Sequence, residues 1–154
     1  MSVCATVLKQ EEHTQSPRSI LVAYDGSEPA ERALKMGIEV AKAFNAKIYV
    51  VYVVNIPPEV HMILTTGTIL GEIAREGQRI LERAKSILDK EGVQYELITE
   101  AGDPAEKIVE LSEKFNVMMI VMGHRGLSGF KRLLIGSVCE KVLRHSTRPV
   151  LVVK

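Results

Sequence analysis

Residues 117–145 read VMMIVMGHRGLSGFKRLLIGSVCEKVLRH. The run from Val117 to Met122 is apolar without a polar break, the pattern of a strand covered on both faces. Glycines then stand at 123, 126, 129 and 136, and from Ser137 the pattern turns helical through about residue 144. Beyond it, PVLVV at 149–153 reads as a further strand. Strand, loop, helix and strand in that order make a crossover unit, and such a crossover joins parallel strands. This segment therefore places the chain among α/β proteins built on a parallel sheet.

The same alternation runs upstream. SILVAY at 19–24 is a short apolar strand. Asp25, Gly26 and Ser27 make a turn in which Ser27 caps the next helix, with Pro29 tolerated in its first turn. Ala30, Ala33, Leu34, Gly37, Ile38 and Ala41 recur at helical spacing. KIYVVYVV at 47–54 is a second strand, apolar enough for burial on both faces. An irregular connection over 55–67 contains Pro57 and Pro58. A long helix spans about 71–91, with Ile73, Gly77, Ile80, Leu81, Ala84, Ile87 and Leu88 as its stripe and Gly92 as its stop. Residues 94–99 form a third, more polar strand that suits a sheet edge. Asp103, Pro104 and Glu106 spell a helix start with N-cap, first-turn proline and capping box, and Ile108, Val109, Leu111 and Phe115 line that helix. The strand at 117–122, the most hydrophobic, is expected at a central position. The order βαβαβαβαβ, with no linker or repeat, predicts a single doubly wound domain over 18–154 with helices on both faces. Residues 1–17, mixed polar, read as a flexible N-terminal arm.

Bulk properties narrow the function classes. A chain of 154 residues suits one domain and buries a core without disulfides or metal. With no Trp, that core is built from Val, Ile, Leu, Ala and Met. A net charge of +1 gives no global basic field for nucleic acid. No apolar run approaches membrane-spanning length. Cys4 and Cys139 have neither metal-ligand nor redox-pair spacing, so a reduced, intracellular setting is expected, and the N-terminus lacks a signal-peptide core. Charge is distributed unevenly. Arg125, Lys131, Arg132, Lys141, Arg144 and Arg148 face a single acid, Glu140, between residues 123 and 148. That local excess suits an anion, and equally suits a solvated basic face.

In doubly wound sheets, ligands sit at the carboxyl ends of the strands. Here those ends fall at Asp25, near Val53 and at Gly123. The loop 123–137 carries the strongest signal. Its glycines let main-chain N–H groups approach an anion, and the helix starting near Ser137 adds unpaired N–H groups and a positive dipole end. Two plainer readings stand beside this one. Ser137 with Glu140 fits an ordinary capping box, and an Asp before a Gly often only stabilises a turn. The loop matches neither the dinucleotide fingerprint nor the P-loop spacing.

The spacing Gly123-x2-Gly126-x9-Gly136-Ser137 resembles the ATP-binding signature of the universal stress protein family. Tyr24-Asp25-Gly26-Ser27, Gly102-Asp103-Pro104 and Pro149-Val150-Leu151-Val152-Val153 resemble other segments of that family, and the likeness covers about residues 19–154. The resemblance implies a five-stranded parallel sheet in the order 3-2-1-4-5 and a cytoplasmic homodimer paired through the last strand. It implies ATP as ligand; the sequence does not fix a metal, and Mg2+ or Mn2+ could ride on the phosphates with few protein ligands. Asp25 is then expected near the base or ribose, and the main chain around Val53 at the adenine edge. Gly123 and Gly126 are expected at the ribose and phosphates, and Gly136, Ser137 and Val138 around the phosphates. Ala23 and Met122, at their strand ends, and Arg125 complete the candidate site.

Other readings stay open. A nucleotide-independent dimeric interaction module is one, with Met62, Ile63 and Leu64 in the 56–70 stretch as a partner surface or lid. Slow ATP hydrolysis is another, though no general base is nameable. An α-phosphate-cleaving enzyme of the same superfamily requires a Ser-Gly-Gly loop after the first strand, and this chain has Asp25-Gly26-Ser27-Glu28 there. Three features depart from the family pattern: a long N-terminal arm, Tyr24 where a smaller side chain is usual, and His124 where a small residue is common. His124 reads either as a pH-sensitive phosphate contact or as a solvent-facing loop histidine.

Overall fold

The computed structural model describes residues 18–57, 67–126 and 135–154. The expected arm at 1–17, the loop centre with Gly129, Lys131 and Arg132, and the Met62–Leu64 stretch lie outside the described residues. Five strands alternate with four helices among those described: β1 (Ser19–Ala23), α1 (Glu28–Phe44), β2 (Lys47–Asn55), α2 (Gly67–Leu88), β3 (Tyr95–Gly102), α3 (Pro104–Lys114), β4 (Met119–Gly123), α4 (Ser137–His145) and β5 (Val150–Val153). The strands form one parallel sheet in the order β3-β2-β1-β4-β5, as the family resemblance implies.

The sheet is sandwiched. Ile20, Val22, Ile48 and Val50 point to one side and pack with the α1 stripe and with Leu81, Ala84 and Leu88 of α2. Leu21, Val51, Ile120 and Met122 point to the other and pack with Ile108 and Leu111 of α3 and Cys139 and Val142 of α4. In β1 the consecutive residues Ile20, Leu21 and Val22 are all 0% exposed, so both faces are covered and period-2 alternation disappears from the sequence. Each such side chain contributes about 1.5–3 kcal/mol of hydrophobic stabilisation.

The middle of the sheet is β1, not the more hydrophobic β4. Residues 117 and 118 precede β4 rather than belong to it, and Val117 is nevertheless fully buried. Hydrophobicity reports burial, which β1 and β4 share, and not rank in the strand order. The α1 stripe is buried as the spacing predicts. The second helix begins a turn earlier than predicted and ends at Leu88; the chain then turns, and Gly92 takes the left-handed φ of 67°. Gly77 is a close-approach residue, since a Cβ there would lie 2.2 Å from the Thr99 hydroxyl oxygen of β3. β3 is a sheet edge, as its polar character predicts.

Candidate functional site

Register brings the strand ends level. Ala23 lies beside Val51, and Gly123 beside Val153. Above these ends is a cavity of about 290 Å³. All ten residues singled out in the sequence line it: Ala23, Asp25, Val53, Met122, Gly123, Arg125, Gly126, Gly136, Ser137 and Val138.

Asp25 does two things. Its Oδ1 accepts the Ser27 N–H at 3.0 Å, the turn role, and Ser27 in turn caps α1 by accepting from Ala30 N–H at 3.3 Å. Its other oxygen faces Gly126, where a Cβ would come within 2.7 Å of Oδ2. Gly126 therefore lets the loop lie against the carboxylate. Gly123 is a packing residue as well as a lining one. A Cβ there would stand 2.8 Å from the carbonyl carbon of Pro29, so glycine allows β4 to close on the start of α1.

The described ends of the glycine loop meet at a neck. Gly136 N–H donates to the His124 carbonyl at 2.7 Å, and a Cβ on Gly136 would be 3.2 Å from the Arg125 Cα. His124 takes neither of the roles expected of it. It is half-buried and turned to the end of β5, where the Val153 carbonyl accepts from its main-chain N–H at 2.9 Å and lies 3.2 Å from its Nδ1.

The capping-box reading of Ser137 fails. The cap of α4 is Gly136, with no side-chain hydrogen bond, and Ser137 is the first helical residue. The first N–H groups of α4 are thus not closed by the side chain of its own N-cap, and residues 136–138 border the cavity. Arg125, on the same wall, buries its Nε without a hydrogen-bond partner among the described residues. A helix start and a guanidinium together form a positive wall.

Burial shifts two further lining groups. Burial pushes the Cys139 thiol up, which keeps it protonated. Burial, reinforced by the Glu76 carboxylate that accepts its hydrogen bond at 2.9 Å, pushes the Tyr52 hydroxyl up to about 12. Asp25 is the one carboxylate among the described lining residues. Among the described residues no group of three or more His, Cys, Asp or Glu is arranged to hold a metal ion, and no helix is long and apolar enough to cross a membrane.

Several lining residues were missed in the sequence, among them Tyr24, Tyr52, Asn55, Pro104 and Ile108. Asn55 was within reach, since it lies two residues beyond Val53 and a strand returns to the same face every second residue. Pro104 and Ile108 come from α3, which no motif connects to the loop.

Comparison with known proteins bears on this geometry. A model described as the universal stress protein family matches residues 17–154. The universal stress protein MJ0531 of Methanocaldococcus jannaschii is 37% identical over 139 residues, covering 89% of this chain and 82% of that one. The solved structure of hypothetical protein MJ0577, from the same organism, superposes with a TM-score of 0.76 at 32% identity, covering 89% of this chain and 95% of that one. The universal stress protein from Archaeoglobus fulgidus in complex with dAMP gives 0.68 at 26% identity, covering 89% and 98%.

Proposed function

Because the chain belongs to the universal stress protein family, we propose that it is an ATP-binding stress-response protein of the cytoplasm whose nucleotide occupies the cavity over β1, β2 and β4. One observation carries the reading: the N-cap of α4 offers no side-chain hydrogen bond, and beside it the buried Nε of Arg125 has no hydrogen-bond partner among the described residues. Main-chain N–H groups at 137–138 and the Arg125 guanidinium hold phosphate oxygens by charge-assisted hydrogen bonds. The dAMP complex of the Archaeoglobus relative supports an adenine nucleotide. Asp25, held against Gly126, takes a ribose hydroxyl or the base, and the main chain at Val53 meets the adenine edge. The divalent ion of ATP, Mg2+ or Mn2+, is carried on the phosphates and adds their charge neutralisation. With Cys139 protonated, Tyr52 a neutral donor and a single carboxylate among the described lining residues, the site holds its ligand rather than transforming it.

The test is mass analysis of nucleotide released from the purified, denatured protein, followed by calorimetric titration of the emptied protein. Released ATP or ADP, with preference for ATP over GTP, is the expected result. A protein that carries no nucleotide and shows no heat with millimolar ATP would leave the nucleotide-independent module as the better reading.

The same proposal extends to the homodimer. β5 is the second edge of the sheet, four apolar residues long and only partly buried, and an apolar edge invites pairing with another strand. β3, at the opposite edge, carries Glu96 and Glu100. Light scattering at high micromolar concentration is expected to give twice the chain mass; a strict monomer counts against pairing through β5.

A further inference from the structure

α4 has only nine residues and its N-cap makes no side-chain hydrogen bond, so other contacts fix where its open end points. Two contacts do so near the cavity. On the strand side, Gly136 N–H reaches the His124 carbonyl at 2.7 Å. On the helix side, Lys141 Nζ donates to Asp103 Oδ2 at 2.9 Å. Lys141 lies four residues after Ser137, so it shares a helix face with the first residue of α4 and fixes the rotation of that turn. Asp103 is itself anchored, because its Oδ1 accepts the N–H groups of Ala105 at 2.9 Å and Glu106 at 3.1 Å. One carboxylate thus closes the start of α3 with one oxygen and ties down the start of α4 with the other. At the far end of the same helix pair, Thr147 donates to Glu113 Oε1 at 3.1 Å. Between these two ties, Ile108 and Leu111 of α3 share a buried cluster with Cys139 and Val142 of α4.

We propose that the Asp103–Lys141 pair is a strut that orients the open end of α4 toward the phosphates, making Lys141 a positioning residue for the nucleotide rather than one that touches it. The proposal rests on the ATP-binding reading above and adds a residue outside the cavity to it. Lys141 does not line the cavity, whereas Ser137 and Val138 do. Its ammonium is already engaged by Asp103, on the outer surface between the two helices.

Calorimetric ATP titrations of the wild type, Lys141→Met, Lys141→Arg, Asp103→Asn and the double variant Asp103→Asn/Lys141→Met test it. Asparagine keeps an oxygen for the α3 cap and removes the charge, so Asp103→Asn separates the strut from the cap. Each single neutral variant is expected to weaken ATP binding about two- to fivefold, the range that a partly exposed pair supports. The double variant is expected to be no worse than either single one, and Lys141→Arg to restore most of the affinity. Tighter binding in Asp103→Asn would mean that a released Lys141 contacts phosphate directly, and would overturn the strut. So would unchanged affinity in folded Lys141→Met, or additive losses in the double variant. A wild type without affinity for ATP overturns the nucleotide reading and the strut with it, whereas a binding wild type with an indifferent Lys141→Met removes only the strut.

Discussion

α3 and α4 lie on the same face of the sheet, and residues at the start of each line the same cavity, yet the two helices begin differently. α3 is finished by its own sequence: the Asp103 carboxylate accepts from two main-chain N–H groups, and Pro104 contributes none. α4 starts on Gly136, with no side chain to accept anything. The glycine is not required by backbone conformation, since its φ of −73° and ψ of 156° are open to any residue. Space favours it, with the Arg125 Cα 3.2 Å from where a Cβ would stand, a contact that the neighbouring backbone must relax by a few tenths of an ångström to admit. The contrast is between a helix start closed by its own side chain and one that its N-cap leaves open. α1, capped by Ser27, is closed in the same way as α3.

The comparison breaks most sharply if α4 is given the cap that α3 has. Gly136→Asp places a carboxylate at the open end, which takes up the N–H groups and repels phosphate. ATP affinity is expected to fall about 100-fold, equivalent to about 2.7 kcal/mol and to the loss of one or two charge-assisted hydrogen bonds. Calorimetry on the folded variant measures this, and near-normal affinity would remove phosphate from the α4 start.

A smaller effect comes from opening α3. Asp103→Ala removes the cap and is expected to cost about 1 kcal/mol, or about 2–4 °C in Tm for a chain of this size. Asp103→Asn, which retains the cap oxygen, should stay close to the wild type in thermal unfolding. Equal losses in both would assign the stability to the Lys141 pair instead.

The smallest effect is set by pH. Burial pushes the Asp103 carboxyl up, but the hydrogen bond from Lys141 and the N–H groups of Glu106 and Ala105 outweigh it and hold it below its ordinary value. The folded pKa being the lower one, the stabilisation is complete above the ordinary carboxylate range and is lost as pH falls through the depressed value. Acid below about pH 4 should therefore lower the Tm of the wild type more than that of Asp103→Asn. Parallel pH curves for the two proteins would mean that Asp103 is not the titrating group.

Much of this was legible before the structure. Parallel α/β architecture followed from apolar runs without alternation, and the start of α3 from Asp103 and Pro104, because those signals are local. The ten candidate residues converge on one cavity, since strand ends and glycine spacing are local too and the family resemblance joined Asp25 and Val53 to the loop. Ser137 misled because a capping box in sequence looks the same whether or not its serine is the residue that caps. His124 misled because its partner, the Val153 carbonyl, is 29 residues away. The packing role of Gly123 against Pro29 had no signal, since those residues touch only when α1 lies over β4.

By itself, the sequence determined which segments are strands and helices, which faces they bury and where the glycine-rich loop lies between strand and helix. Those follow from side-chain polarity and backbone preference over a few residues. Tertiary structure alone decided that Gly136 rather than Ser137 opens α4, and that Asp103 serves two helices at once. Each of these depends on which distant atoms meet, and a distance of 2.9 Å between Lys141 and Asp103, 38 residues apart, exists only after both helices have packed on the sheet.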